Sequence, residues 1–204
     1  MKSSLLLLAL PLLWVASVAQ GIPSGASTPD SEGYIRDWLL LAPIPLPEGA
    51  DAGDLLLRTQ IPDEAQLKPK GGDEIRVQGR TLTWKPVTAT TNFVDLNAIL
   101  NSQNDQAVGY LVTYVESDRE IPDTILAVGS NDQGRIYFNG VDIYAFTEAR
   151  PLVLDADRGK VTLKRGVNVF VFKIINVQNS WQGALRLTDR SGQPLKGIRI
   201  QKAP

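Results

Sequence analysis

Hydrophobic and polar residues alternate with a period of two along much of this chain, which is the pattern of half-buried β-strands. The clearest stretch is residues 125–144, ILAVGSNDQGRIYFNGVDIY. In it, apolar segments at 125–129, 135–138 and 141–146 are separated by a polar loop and by Asn139-Gly140. Asn-Gly between two strand patterns is a strong signal for a two-residue type I′ turn. The pattern therefore predicts three consecutive antiparallel strands.

Residues 107–116, AVGYLVTYVE, are largely apolar on both faces. This favours a central strand that is covered on both sides. Pro43, Pro45 and Pro47 should place the chain along a sheet edge, because proline cannot donate to a central ladder. Residues 51–59 fit a short helix with Asp51 near its start.

Turn signals predict the remaining strands and their pairing. Gln78-Gly79 should join 75–77 to 80–84, and the three-residue loop Lys164-Arg165-Gly166 should join 161–163 to 167–175. Other predicted strands span 34–41, 93–96, 183–187 and 195–200, with the last two paired across a polar turn. About ten strands so spaced predict an all-β fold, an antiparallel β-sandwich.

The first residues have the pattern of a targeting segment. Lys2 precedes an apolar run at 5–18, and the small residues Ser17 and Ala19 fit a signal peptidase site, which predicts cleavage before Gln20. Residues 1–19 are then a signal peptide, 20–33 a flexible leader rich in Gly, Ser, Pro and Thr, and 34–204 one sandwich domain. We expect a secreted or periplasmic protein with no membrane span in its mature chain.

Composition narrows the chemistry. The chain contains no histidine and no cysteine, which removes the usual general base of hydrolases, the commonest metal ligand and any disulfide. An exported chain without cysteine fits a bacterial source better than a small eukaryotic secreted module. With 21 basic and 22 acidic residues and no basic stripe, nothing indicates a nucleic-acid partner.

Several segments resemble a known family in their order. They are DWLLLAPIPLPEG at 37–49, GSNDQGRIYFNG at 129–140, DADRGKVTLKRGVN at 155–168 and VFVFKI at 169–174. This order resembles galactose-binding-like jelly-roll domains, including the sugar-binding domain of β-galactosidase-type glycosidases and accessory domains of secreted bacterial proteins. The resemblance implies a jelly roll and a carbohydrate ligand. It carries over no individual sugar-contacting residue, because no ligand motif matches residue by residue.

The candidate site residues each have a structural alternative. Trp181, which follows a polar loop, and Trp84, at a strand end, are candidates for stacking on a sugar, with core packing as the alternative. Asn131 and Asp132 offer oxygens to sugar hydroxyls or to calcium, but turn formation is the favoured alternative. Asp155 and Asp157 are candidate calcium ligands, against a solvated loop.

Three functions are compatible with the sequence. The leading hypothesis is an exported, non-catalytic carbohydrate-binding module without a cofactor other than a structural calcium ion. The second is a structural or protein-interaction domain of the bacterial envelope. The third is a glycosidase or lyase that uses carboxylates such as Glu116, Asp118 and Glu120, since glycoside hydrolysis needs an acid and a base or nucleophile.

Overall fold

Two antiparallel sheets face each other in the computed structural model, which describes residues 25–204. Thirteen strands lie in this range, so the predicted all-β sandwich is confirmed and its strand number exceeds the expected ten. The arrangement is consistent with a jelly roll. The strands are β1 (Asp37–Pro45), β2 (Glu74–Val77), β3 (Arg80–Thr83), β4 (Lys85–Thr88), β5 (Val94–Asp95), β6 (Ala107–Ser117), β7 (Ile121–Asn131), β8 (Gly134–Phe138), β9 (Val141–Phe146), β10 (Asp157–Leu163), β11 (Gly166–Asn176), β12 (Gln182–Thr188) and β13 (Ile198–Gln201).

The large sheet has seven strands in the order β4-β1-β6-β11-β8-β9, and β13 pairs with the end of β6 that β1 leaves free. The small sheet has four strands in the order β10-β7-β12-β5, and β2 pairs with β3 as a separate hairpin. The prolines of β1 behave partly as predicted. β4 pairs with residues 37–40, whereas Ile44 and Pro45 pair with β6 alone after a shift in register.

The central position predicted for residues 107–116 is confirmed by β6. One face, with Leu111 and Val115, joins the inner core between the two sheets, and the other face, with Tyr110 and Tyr114, joins an outer core. The outer core is closed by residues 46–84, which we call the cover. The cover contributes Leu46, Leu55, Leu56, Ile61, Val77 and Trp84.

The cover begins with α1 (Ala52–Leu57), whose N-cap is the predicted Asp51: its side chain accepts a hydrogen bond from the Asp54 backbone N–H at 2.7 Å. A 3₁₀ turn (Glu64–Gln66) and the β2–β3 hairpin complete it. A second helix, α2 (Leu96–Leu100), follows β5 and is capped by Asp95. The short helices thus start where a carboxylate satisfies a free backbone donor.

The two-residue turns are confirmed. Asn139 and Gly140 have φ of 50° and 83°, and Gln78 and Gly79 have φ of 49° and 77°, as a type I′ turn requires.

Three predicted pairings are wrong, because the chain changes sheets at those loops. β7 belongs to the small sheet and β8 to the large sheet, β10 and β11 are divided in the same way, and β13 pairs with β6 instead of β12. Sequence periodicity marks strands but carries no information on which sheet receives them.

The predicted signal peptide, residues 1–19, lies outside the described residues. Part of the predicted leader is anchored to the domain, which corrects the expectation of a segment without packed structure: Ser27 and Ile200 exchange two backbone hydrogen bonds of 2.9 and 2.8 Å. Within residues 25–204, no helix has the length and apolar character needed to cross a membrane.

Candidate functional site

A cleft of about 880 Å³ opens at one end of the sandwich, and we call it the end cleft. Its walls come from residues 28–31, from the β6–β7 turn and from the β12–β13 connection. A second cleft of about 450 Å³ shares Ile121, Asp189 and Leu195 with it, so the two form one groove. This size is typical of small-molecule and oligomer-binding sites.

Loop geometry at the end cleft is set by carboxylates that bind backbone N–H groups. Asp30 accepts hydrogen bonds from the Glu32 and Tyr34 N–H groups and forms a salt bridge of 2.8 Å with Arg36. Asp189 accepts from the Ser191 N–H at 2.8 Å and from the Gln193 N–H at 2.9 Å. Hydrogen bonds from Ser191 and then Gln193 lower the pKa of Asp189 below its usual value.

The end cleft also holds two cations, Arg119 and Lys196, both on exposed residues. The remaining lining mixes hydroxyl and amide groups with small apolar surfaces, from Thr28, Ser31, Gln193, Pro29, Pro194 and Leu195. Such a lining can donate and accept hydrogen bonds while it contacts C–H groups. None of the residues that line the end cleft is aromatic.

The tryptophans are not at this site. Trp181 is 0% exposed in the inner core, where its indole N–H donates to the Ile174 carbonyl at 3.2 Å, and Trp84 is 3% exposed in the outer core. The prediction that a polar loop delivers Trp181 to the surface is therefore wrong. Its ring is held beneath Gly109, where an added Cβ would lie 2.8 Å from the indole.

Asn131 and Asp132 lie where the chain crosses from the small to the large sheet. Asp132 is buried, its carboxylate accepts from the Val177 N–H at 3.0 Å, and burial raises its pKa above 3.8. This hydrogen bond joins two segments that are distant in sequence, so the Asp132 side chain has a structural partner in the fold. The Oδ1 of Asn131 is buried without a hydrogen-bond partner in the described residues.

Asp155 and Asp157 do not share partners. Asp155 pairs with Arg186 and Arg158 and accepts from the Tyr34 hydroxyl at 3.2 Å, whereas Asp157 pairs with Arg150 and accepts from the Tyr144 hydroxyl at 2.8 Å. Burial and then Asp155 raise the pKa of Tyr34 to about 12. Each carboxylate is thus neutralised by arginine, which leaves less attraction for a calcium ion. No group of three or more acidic residues in residues 25–204 could hold a metal.

Two of the three candidate acids at the end of β6, Glu116 and Asp118, are also paired. Arg199 on β13 binds Glu116 at 3.2 Å and Asp118 at 2.6 Å. The two carboxylates therefore clamp one guanidinium, which fixes the end of β13 beside β6. This arrangement is that of a structural ion pair on the surface.

A buried polar cluster was not anticipated from the sequence. Glu64 of the cover accepts hydrogen bonds from the hydroxyls of Tyr110 at 2.5 Å and Tyr137 at 2.6 Å, and Lys173 on β11 lies 3.1 Å from its carboxylate. The Lys173 ammonium also donates to the carbonyls of Leu56 and Arg58, at 2.9 and 2.6 Å. Because Lys173 is 0% exposed and Glu64 is 4% exposed, this cluster fastens the cover and offers no access to a substrate.

Glu64 and Lys173 each stabilise the charged form of the other. Burial alone would raise the pKa of Glu64, but the hydrogen bonds from Tyr110 and Tyr137 and the charge of Lys173 hold it below its usual value. Burial lowers the pKa of Lys173, and Glu64 opposes that shift. The sole sequence signal was Lys173 itself, a charged residue inside the apolar run VFVFKI.

One side of the sandwich is bounded by the edge strands β9 and β10, and we call it the β9–β10 flank. Within the described chain, β9 pairs only with β8 and β10 only with β7. Val141 is 61% exposed and Ile143 is 36% exposed on β9. A small cavity of about 160 Å³ lies between the two strands, with Ile143, Tyr144 and Val161 in its walls.

Comparison with known proteins does not assign this chain to a family. No protein-family model matches the chain, and no curated protein matches it.

Proposed function

We propose that this protein is a non-catalytic carbohydrate-binding module of galactose-binding-like jelly-roll type, and that its ligand lies in the end cleft. The observation that carries the proposal is the groove itself, in which loops from three parts of the chain present hydroxyl, amide and charged groups around small apolar surfaces. Sugars display hydroxyls and C–H faces together, so a mixed lining of this kind complements them. The sequence resemblance to sugar-binding domains points in the same direction.

Binding is favoured over catalysis because two of the three candidate carboxylates, Glu116 and Asp118, pair with an arginine. Glu116 and Asp118 share Arg199, and Glu64 is buried beneath the cover. Glycoside hydrolysis needs two carboxyl groups that face each other across the bond. Glu116 and Asp118 instead face one guanidinium.

A glycan array with the purified protein tests the proposal, and a blocked cleft locates the site. Thr28 lines the end cleft, whereas Thr81 lies on β3, and both are exposed. Thr28→Trp should fill the groove and abolish binding to any glycan hit. Thr81→Trp adds the same ring elsewhere and should bind like the original protein. Equal binding by both variants, or no hit on the array, would count against the proposal.

A second candidate function, protein interaction, is favoured by the β9–β10 flank. An edge strand with exposed Val141 and Ile143 is a template on which a partner can add a strand. Val141→Lys should abolish capture of such a partner, because a charged side chain on an edge opposes strand addition. The same variant should leave glycan binding unchanged, which separates the two functions.

We also propose that the protein is exported and that residues 1–19 are the signal peptide that directs its export. The mature protein should begin at Gln20, because the small residues at 17 and 19 fit the peptidase. Mass spectrometry of protein recovered from the cell exterior or periplasm measures this directly. An intact Met1 in that fraction would contradict export by cleavage.

A further inference from the structure

We infer that the end cleft selects an acidic saccharide, whose carboxylate is held between Arg119 and Lys196. This inference rests on the proposed function and names the chemical class of its ligand. It follows from the position of the two cations, from the partners of the nearby acids and from the rest of the lining.

The register of the large sheet brings the two cations together. The pairing of β13 with β6 ends at Ile198 opposite Ser117. Arg119 lies two residues beyond Ser117 in the β6–β7 turn, Lys196 lies two residues before Ile198, and both line the end cleft. Two cations on adjoining segments of one cleft attract an anion.

In the part of the chain that the structure describes, the acidic residues near the end cleft do not pair with Arg119 or Lys196. Asp118 is bound by Arg199, and Asp30 is bound by Arg36. Asp189 directs one oxygen to the N–H groups of its own turn. Within residues 25–204, neither Arg119 nor Lys196 forms a salt bridge. Of the two acids that also line the cleft, Asp30 is neutralised by Arg36, and Asp189 is bound by N–H groups of its own turn.

The rest of the lining favours a saccharide over a compact inorganic anion. Thr28, Ser31 and Gln193 supply uncharged hydrogen-bonding groups, and Pro29, Pro194 and Leu195 supply apolar surface. A cleft of about 880 Å³ is also far larger than a single phosphate or sulfate needs. A uronic acid combines a carboxylate, hydroxyls and C–H faces in one ring, and its oligomers would extend into the adjoining cleft.

Calorimetric titration with two matched probes tests the inference. The first probe is a polyuronate oligosaccharide, and the second is the same oligosaccharide with its carboxylates methyl-esterified. We expect the acid to bind about tenfold or more tightly than the ester, because hydrogen bonds to a charged group are stronger than those to a neutral one. Raising the salt from about 0.01 M to 0.15 M should weaken binding of the acid and leave the ester unaffected.

Two double variants assign the effect to the cleft. Arg119→Gln with Lys196→Gln should remove the preference for the acid. Arg80→Gln with Lys85→Gln changes two exposed cations on β3 and β4 and should preserve it.

Each of the other possible results would overturn one part of the inference. An ester that binds as tightly as the acid overturns the acidic ligand and leaves the proposed function standing. Failure of every glycan, neutral or acidic, overturns both. Equal binding of an oligoglutamate peptide overturns the saccharide class. Unchanged selectivity in the Arg119→Gln, Lys196→Gln variant removes these two residues from the site.

Discussion

At the scale of single residues, the ion pair between Lys173 and Glu64 connects the cover to the large sheet. Lys173 projects from the outer face of β11, and Glu64 belongs to the 3₁₀ turn of the cover. Both are almost fully buried, so neither charge is stabilised by water. A buried pair of this kind is costly to break, because the remaining charge has no partner.

Lys173→Met should therefore lower the free energy of unfolding by about 3–5 kcal/mol. Adding Glu64→Gln should recover part of this loss, because the glutamine removes the uncompensated charge while its amide oxygen still accepts a hydrogen bond from a tyrosine. Urea unfolding of both single variants and the double variant measures the coupling. Additive losses would mean that the two side chains do not interact.

Trp181 illustrates how a side chain from a polar loop can still be a core residue. Its ring fills the space above Gly109 and beside Leu96, and its N–H is satisfied by the Ile174 carbonyl. Trp181→Ala should cost about 3–5 kcal/mol by leaving a cavity. A thermal melt that is unchanged in this variant would contradict the buried position.

At the scale of elements, the β8–β9 turn makes a specific demand on its second residue. Gly140 has φ of +83°, a conformation that β-branched residues strongly resist. Gly140→Val should lower the free energy of unfolding by at least about 1 kcal/mol. Gly159 on β10 is the control, since a Cβ there meets nothing within 4 Å and its φ is not positive. Gly159→Val should be nearly neutral.

The same elements show what the sequence determines locally. Asn139-Gly140, Gln78-Gly79 and the cap at Asp51 were predicted because each depends on backbone geometry within a few residues. The double-sided apolar pattern of β6 was enough to predict its central position. Pairing was predicted less well, because a loop such as Lys164-Arg165-Gly166 has similar chemistry whether it returns within one sheet or crosses to the other.

The candidate site was harder to predict for a related reason. Arg119 and Lys196 lie far apart in sequence, and their proximity depends on the register between β6 and β13, a pairing that was predicted wrongly. Trp181 and Trp84 drew attention because of their type, although burial removes both from the surface.

At the scale of the whole molecule, the stability of the fold in acid depends on carboxyl groups whose pKa values are shifted in opposite directions. The chain has no histidine, so no side chain has its usual pKa near neutrality. The pKa of Glu64 is held below 4.5, and those of Asp37 and Asp157 are held below 3.8, because hydrogen bonds and charge pairing outweigh burial. Asp132 has the opposite shift, because burial raises its pKa above 3.8.

The sign of each contribution follows from these shifts. A carboxyl with a depressed pKa in the folded state stabilises the protein above its unfolded pKa, and this contribution is lost as the pH falls through the folded pKa. Asp132 acts in reverse: the folded state binds its proton more tightly, so its cost to stability is relieved as the pH falls. The depressed carboxyls, which also include Asp123 and the exposed Asp118 and Asp189, therefore favour loss of stability in acid, and Asp132 opposes it.

We expect the free energy of unfolding to fall as the pH drops below about 4.5, since the depressed groups start from usual values of 3.8 and 4.5. Two variants separate the opposing contributions. Glu64→Gln should be less stable at pH 7 and should lose less on acidification, because one proton-linked contribution is gone. Asp132→Asn should be at least as stable at pH 7, since it removes a buried charge while an amide oxygen still accepts from the Val177 N–H. Its loss of stability in acid should be steeper than that of the original protein. Urea midpoints between pH 7 and pH 3 measure all three slopes, and parallel curves would contradict the assignment of either group.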